Sequence, residues 1–444
     1  MKKDMARRAA LDTLMEINNH GAYANIALSR VLSKRELSDA DRRFATELVY
    51  GTVKAGKTID WMLERYMKKP LSKSKAPIRD ILRLGMYQLK YMDKVPESAA
   101  CNESVNLAKR YGKASAGFVN AVLRSAVREP DRTTFPDKDD DPVQYLALSS
   151  MHPSWLTKHW IKQFGYESAE KLCRFDNAPA ILSLRTNTLR CSREELIDAL
   201  EESGAHAELS RLVPEGVLVK SHTGLAGLTP LQDGRAQVQD ESSMMVAHVL
   251  DPHPGEFVID ACSAPGGKTT HIAQMMNDSG RIAAFDIYEH KIKRIEENAA
   301  RLGIHSIEAA LLDARMIGTE YEGMADRVLL DVPCSGLGVL RRRPDARWRK
   351  TEESIAMLPA LQREILDSGA RAVKPGGILV YSTCTIEPAE NERMVQSFLN
   401  DHPEYKLESA GALLPVPRNT DMVQLLPQID GTDGFFIARM RRQR

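Results

Sequence analysis

The feature that most limits how this chain can fold lies in its second half. From Gln237 onward, short apolar runs alternate with amphipathic stretches. FVIDA (257–261) is followed by a helical stretch over 268–277, RIAAFD (281–286) by a helix over 289–302, and then comes a strand near 307–311. VLLDV (328–332), a helix over 352–373, GILVYST (377–383) and a helix over 387–400 complete the series. Strands spaced by helices predict a parallel, doubly wound sheet. The first strand runs into CSAPGGKTTHIAQ, a glycine turn between a buried strand and a helix start. Such a turn lets a ligand approach the backbone near the positive end of the helix. The turn is neither GxGxxG nor GxxxxGK[ST], which argues against a nicotinamide cofactor and against a P-loop.

Four strand ends each carry an acid: Asp260, Asp286, Asp313 and Asp331. Any one of them could merely cap a helix. Together, at the C-terminal edge of one sheet, they are expected to line a crevice. Acids there suit a ligand with a cationic end and ribose hydroxyls. S-adenosylmethionine, with its sulfonium, ammonium and diol, fits best, and a triphosphate fits poorly.

Upstream, residues 4 to about 128 carry apolar residues at helical spacing throughout, with breaks at 18–21, 69–74, 94–96 and 111–113. Residues 1–130 hold 25 Lys+Arg against 14 Asp+Glu, a charge of +11 on a chain whose net charge is +1. A basic helical block on a near-neutral chain suggests a polyanionic partner, with a solvated helical surface as the plainer alternative. The acidic, Pro-containing stretch 131–142 is predicted to be a linker. Residues 143–234 then give two helices to about Asn177, the alternating strand ILSLRTNTL, an amphipathic helix over 192–204 and short strands over 210–230. The expected fold class is therefore multidomain: an all-α domain over 1–130, a small α+β module over 143–234, and an α/β Rossmann-like domain over 235–444. No run is apolar and long enough to span a membrane, and the basic N-terminus lacks the form of a signal peptide, so the expected location is cytoplasmic. Six cysteines without a CxxC pair imply neither a disulfide framework nor a metal site. The chain is expected to be a monomer.

Two of those cysteines follow strands at the crevice edge, Cys334 in LLDVPCSGLG and Cys384 in YSTCTIEPAENE. Either alone would pass as core filler. Two polar turns at one edge, beside a methyl donor, suggest chemistry. Carbon 5 of a pyrimidine is not nucleophilic until a thiolate adds to C6 and makes C5 enamine-like. That requires a thiol made acidic by turn amides and a helix start, and an acid to hold the base, for which Asp331 is placed. The basic run LRRRPDARWRK (340–350), with Trp348, is expected to grip RNA by phosphate pairing and stacking. Arg185 and Asn187, in LRTN, are expected to contact RNA or simply to form a turn. Two rival readings stand beside this one: a methyltransferase acting on an exocyclic amine, and a binding or assembly factor whose sheet domain is inert.

DACSAPGGKTTHIA, AFDI, LLDVPCSGLGVLRRRPDARW, YSTCTIEPAENE, QVQDESS and KPGG resemble the motifs of RNA cytosine-5 methyltransferases of the NOL1/NOP2/Sun class. The helical N-terminus, with VPESAACNESVNLAKRYG and GFVNAVLR, resembles a NusB-like RNA-binding domain. The combination is similar to the bacterial RsmB (Sun/Fmu) family, which methylates C5 of a cytosine in 16S ribosomal RNA, and RNA before small-subunit assembly is the expected substrate. The resemblance implies that Cys384 is the nucleophile and that Cys334 aids product release. It places the cofactor against Cys262, Ser263, Ala264, Pro265, Gly266, Gly267, Lys268, Asp286, Asp313 and Asp331. Ser263 departs from the alanine frequent in the family and is small enough to be tolerated.

Overall fold

Ser38 illustrates how the N-terminal half is built. Its hydroxyl accepts the Asp41 amide at 3.1 Å and opens the helix Asp39–Glu64, one of the backbone donors that a helix start otherwise leaves unpaired. Helices Met5–His20, Ala24–Ser33, Ala76–Tyr91, Glu97–Ala108 and Lys113–Arg128 pack with it around a core that includes Leu11, Leu48, Ile59, Leu82 and Leu123. The structure, a computed structural model, describes residues 4–222 and 224–444. It divides into two units, Met1–Asn177 with Arg342–Lys350, and Ala178–Arg341 with Thr351–Arg444. Three further helices, Pro142–Ser149, Ser154–Phe164 and Tyr166–Asn177, stand in the first unit. The last two are those the sequence groups with the middle module.

The basic segment at 342–350 folds as part of the helical unit, and this corrects the expected role of Arg347. Arg347 is fully buried. Its guanidinium donates to the Met151 carbonyl at 3.1 Å, the Asn177 side-chain oxygen at 2.9 Å and the Asp176 carbonyl at 3.2 Å. The Trp348 indole N–H donates to the Lys54 carbonyl at 3.0 Å, and Arg349 donates to the carbonyl of Gly21 at 3.0 Å. Arg347 is thereby taken out of any surface for phosphates or bases, whereas Trp348 is half-buried and Arg349 stays exposed. A run of arginines reads as solvated in sequence; here the carbonyls at helix ends recruit it.

The second unit holds two sheets. In the smaller, β1 (Leu182–Thr186), β2 (His206–Leu209), β3 (Gly216–Ser221) and β4 (Ala236–Val238) lie in the order β2-β3-β1-β4, all antiparallel. Helix Arg193–Glu202 packs on it, started by a capping box between Ser192 and Glu195. In the larger, β5 (Phe257–Asp260), β6 (Arg281–Asp286), β7 (Ile307–Leu311), β8 (Ala325–Asp331) and β9 (Val373–Thr383) run parallel, as the alternation predicts. The strand order is β10-β12-β9-β8-β5-β6-β7. The sheet is not wholly parallel, however. β12 (Phe435–Arg442) runs antiparallel beside β9, with β10 (Tyr405–Glu408) and β11 (Met422–Leu425) antiparallel to it. Two helix expectations also change. The stretch 352–373 forms two helices, Glu352–Ala356 and Leu358–Ala372, with Pro359 opening the second. The helix after Cys384 starts at Glu392, not at 387.

Candidate active site

The strand ends β5 and β8 and the turn after β5 border an open cavity of about 170 Å³. Its lining includes Asp260, Cys262, Ser263, Ala264, Pro265, Gly267, Lys268 and Asp331, together with Val238, Gln239, Asp240 and Ser243 from the approach to the domain. The turn is held from several sides. The Ser263 amide and hydroxyl both donate to the Phe285 carbonyl at 2.8 Å, and Asn298 donates to the Pro265 carbonyl at 2.8 Å. The Ala264–Pro265 peptide is cis, and Gly266 takes the left-handed φ of 93° that leads into helix Gly267–Met275. A side chain would be strained at that φ.

Asp260, at the cavity floor, is fully buried. One carboxyl oxygen accepts the Thr269 hydroxyl at 2.6 Å, and the other has no partner among the described residues. Burial, reinforced by the neighbouring Asp331 charge, pushes its carboxyl up to about 7. Asp331 accepts Lys268 Nζ at 2.7 Å on one oxygen and the Ser382 hydroxyl at 3.0 Å on the other. It therefore connects the cofactor helix to β9, the strand that ends at Cys384. The Lys268–Asp331 pair and the Gln239–Ser243 wall were not singled out as a set in the sequence; only QVQDESS hinted at the wall.

Not every predicted acid reaches this cavity. Asp286 is buried; its oxygens accept the Tyr288 amide and Lys291 Nζ, each at 3.2 Å. Asp313 is gripped by Arg315, which donates to it at 2.7 Å and holds its carboxyl below the ordinary carboxylate range. Neither lines the cavity, so Asp260 and Asp331 are brought together while Asp286 and Asp313 stand apart from them.

The two cysteine turns meet. Cys334 Sγ and Cys384 Sγ are 3.1 Å apart. The Ser335 hydroxyl lies 2.6 Å from that of Thr385, and the Gly338 amide donates to the Cys384 carbonyl at 3.1 Å. Gly338 has no alternative: a Cβ there would stand 2.2 Å from the Gly434 carbonyl oxygen, just before β12. The hydrogen bond to Cys384 and then burial hold the Cys334 thiol well above its ordinary range. The helix that follows Cys384 starts eight residues on, at Glu392.

Arg185 and Asn187 are not RNA contacts. Both are buried. Arg185 donates to the Gly267 carbonyl at 2.5 Å and to Thr270 Oγ1 at 2.8 Å, and also bonds Gln239. Asn187 donates to the carbonyls of Gly234 and Leu302 at 2.8 and 2.9 Å. Close by, the carboxylate of Glu215 accepts His248 Nε2 at 3.1 Å and His271 Nε2 at 3.0 Å. Such a set resembles metal ligands, but a metal-bound imidazole needs an acceptor for its other N–H, and His271 Nδ1 has no partner among the described residues. With the Arg185 charge nearby, the group closes as a neutral hydrogen-bonded network. Burial opposes the Glu215 charge, yet the two imidazole bonds outweigh it and hold the carboxyl well below the usual range. Burial pulls His271 down to about 4, so it stays neutral in the fold. The unfolded chain binds a proton there below about 6.5, so acid favours unfolding between that pH and about 4. We expect the stability of the wild type relative to His271→Gln to fall by about 2 kcal/mol between pH 7 and pH 4.5, measured by urea unfolding at each pH.

This arrangement, a seven-strand path with a glycine turn and acids at its C-terminal edge, defines a methyltransferase. Residues 247–441 match the family described as 16S rRNA methyltransferase RsmB/F, residues 4–128 the NusB family, and residues 152–225 the ferredoxin-like domain of RsmF/B-like methyltransferases. The chain is 42% identical over 450 residues to the probable ribosomal RNA small subunit methyltransferase B of Bacillus subtilis (strain 168), covering 100% of both chains. Among solved structures it is similar to PH0851, with 29% identity, a TM-score of 0.85, and coverage of 100% of this chain and 99% of that one. It is also similar to NSun6 from Pyrococcus horikoshii with SFG, an analogue of S-adenosylmethionine. That likeness has 26% identity and a TM-score of 0.60, and covers 66% of this chain and 98% of that one. The chain belongs to the RsmB family of ribosomal RNA small-subunit methyltransferases.

Proposed function

We propose that this chain transfers a methyl group from S-adenosylmethionine to C5 of a cytosine in 16S ribosomal RNA, through a covalent bond between Cys384 and C6. The observation that carries the reading is the 3.1 Å approach of the two cysteine sulfurs beside an acid, Asp331, that also lines the cofactor cavity. An enzyme acting on an exocyclic amine needs neither thiol.

The residues around the cavity fit the cofactor by their chemistry. Asp260 and Asp331 offer oxygens to an ammonium or sulfonium, and the first turn of Gly267–Met275 leaves amides for a carboxylate. When bound, the cofactor supplies an electrophilic methyl. Cys384, as thiolate, adds to C6 and moves the C5–C6 electron pair onto C5. Asp331 keeps lone pairs free beside Lys268 and Ser382 for the exocyclic amine of the base. Once C5 carries the methyl, a base such as water takes the C5 proton, that electron pair re-forms the C5–C6 double bond, and the C6–S bond breaks to release Cys384 as thiolate, with Cys334 assisting this release. The target base must leave its stack to reach these sulfurs. The +11 charge of residues 1–130 suits the RNA backbone, and the substrate is RNA before subunit assembly. The chain acts in the cytoplasm as a monomer, without a metal, and its domains divide as 1–130, 131–142, 143–234 and 235–444. On this reading the cofactor extends from Cys262 through Lys268 beyond the cavity to Asp286 and Asp313, which do not line it.

Release of tritium from small-subunit RNA labelled at cytosine C5, dependent on S-adenosylmethionine, tests the reaction; methyl incorporation without tritium release would exclude it. Asp286→Ala is expected to leave the fold intact and weaken cofactor binding about ten- to a hundredfold, the worth of a charged hydrogen bond to a ribose diol. Titration calorimetry showing unchanged affinity would remove Asp286 from the site.

A further inference from the structure

Glu390 is completely buried, and neither the cofactor cavity nor the reaction described above uses it. One carboxyl oxygen accepts the Ser335 amide at 2.9 Å and Gln362 Nε2 at 2.8 Å. The other oxygen is buried with no partner among the described residues. The same Gln362 nitrogen donates to the Pro333 carbonyl at 2.9 Å. Glu390 and Gln362 thus clasp the backbone on either side of Cys334, at the residue before it and the residue after. Glu390 is also tied to the other turn: its carbonyl accepts the Tyr381 hydroxyl at 2.7 Å, and Tyr381 lies in β9, three residues before Cys384. A carboxyl group with a partnerless oxygen is costly to bury. The cost is explicable if its charge acts on what it faces.

The turn it clasps carries one of a pair of thiols in contact. Two sulfurs 3.1 Å apart cannot both ionise easily, because like charges at that range repel strongly. The pair therefore loses one proton first and keeps the other, and a nearby negative charge decides which sulfur keeps it. We propose that Glu390 is the positioning residue of the cysteine pair: it fixes the Cys334 turn, and its charge keeps the shared proton on Cys334, leaving Cys384 as the thiolate. This rests on the assignment of Cys384 as nucleophile. The Glu390 and Asp331 charges both act against ionisation of Cys334; burial, and then the Glu387 charge, raises the Glu390 carboxyl itself, against the bonds from Ser335 and Gln362 that favour its ionised form.

Pulsed alkylation of the folded, RNA-free full-length protein with iodoacetamide tests the proposal, with labelled sites mapped by mass spectrometry across pH 6–10. In the wild type, Cys384 is expected to label at least about tenfold faster than Cys334 near neutral pH, one pKa unit of separation, and Cys334 to label only at higher pH. In Glu390→Gln, which keeps the shape and removes the charge, the two rates are expected to converge while thermal unfolding of the protein changes little. Equal labelling in the wild type would overturn the proposal without any variant. So would a Glu390→Gln protein that is folded and retains the wild-type ratio. A failure of the nucleophile assignment itself is read separately, as methylation by Cys384→Ala.

Discussion

Cys384→Ala is expected to abolish methylation and every covalent adduct, because without addition at C6 the C5 carbon never becomes nucleophilic. Cys334→Ala is expected to behave differently. Attack and methyl transfer need only Cys384, so the variant should load the methyl and then stall. The product would be a protein–RNA adduct that survives denaturing electrophoresis and carries label from both RNA and cofactor. One gel with both variants decides the matter. An adduct from Cys384→Ala and none from Cys334→Ala would exchange the two roles. Normal methylation by both would end the thiol mechanism. Both cysteines are only partly buried, so removing one sulfur should not itself unfold the domain.

Arg185→Met is expected to be the most damaging change away from the sulfurs. Arg185 is buried completely and carries charge against the Gly267 carbonyl, Thr270 and Gln239. Met fills much of the volume but leaves those acceptors dry and strips the compensating charge from the neighbourhood of Glu215. Removing one member of a buried charged network costs roughly 3–5 kcal/mol. Cofactor affinity should fall with stability, since Gly267 and Gln239 line the cavity. RNA affinity of the protein that remains folded should be unchanged. A variant with wild-type unfolding midpoint and weakened RNA binding would instead return Arg185 to the RNA surface.

Arg185 also shows where reading the sequence runs out. An arginine in an alternating strand looks exposed, because charged side chains are rarely buried. Nothing local reveals that a helix more than eighty residues later presents a carbonyl and a hydroxyl to it. Arg347 and Trp348 mislead in the same way. The parallel strands were legible because each is an apolar run, four of the five close at or just before an acid, and helices follow them. The antiparallel β12 was not, since FFIARMRR ends in charges and pairs with β9 through contacts far apart in sequence. At the site, Cys334, Cys384, Asp331 and the glycine turn were legible from their place at strand ends. The separation of Asp286 and Asp313 from the cavity was not, because each is drawn to a lysine or arginine a few residues away.

The segment Arg342–Lys350 has a consequence for how the chain must assemble. The helical unit contains a piece encoded after most of the parallel sheet. A ribosome finishing residue 177 has therefore made the bundle without its last part: the Arg347 socket is empty, and the carbonyls of Met151, Asp176 and Lys54 still face water. Bringing that piece back closes a loop of roughly 160 residues, at an entropic cost of about 4–5 kcal/mol, offset by the hydrogen bonds of Arg347 and Trp348 and their burial. The bundle should thus mature in two stages, an early helical core and a late closure that waits for downstream chain. A fragment ending at Asn177 would stop at the first stage, and a synthetic peptide spanning 342–350, added in trans, should bind it and raise its unfolding temperature.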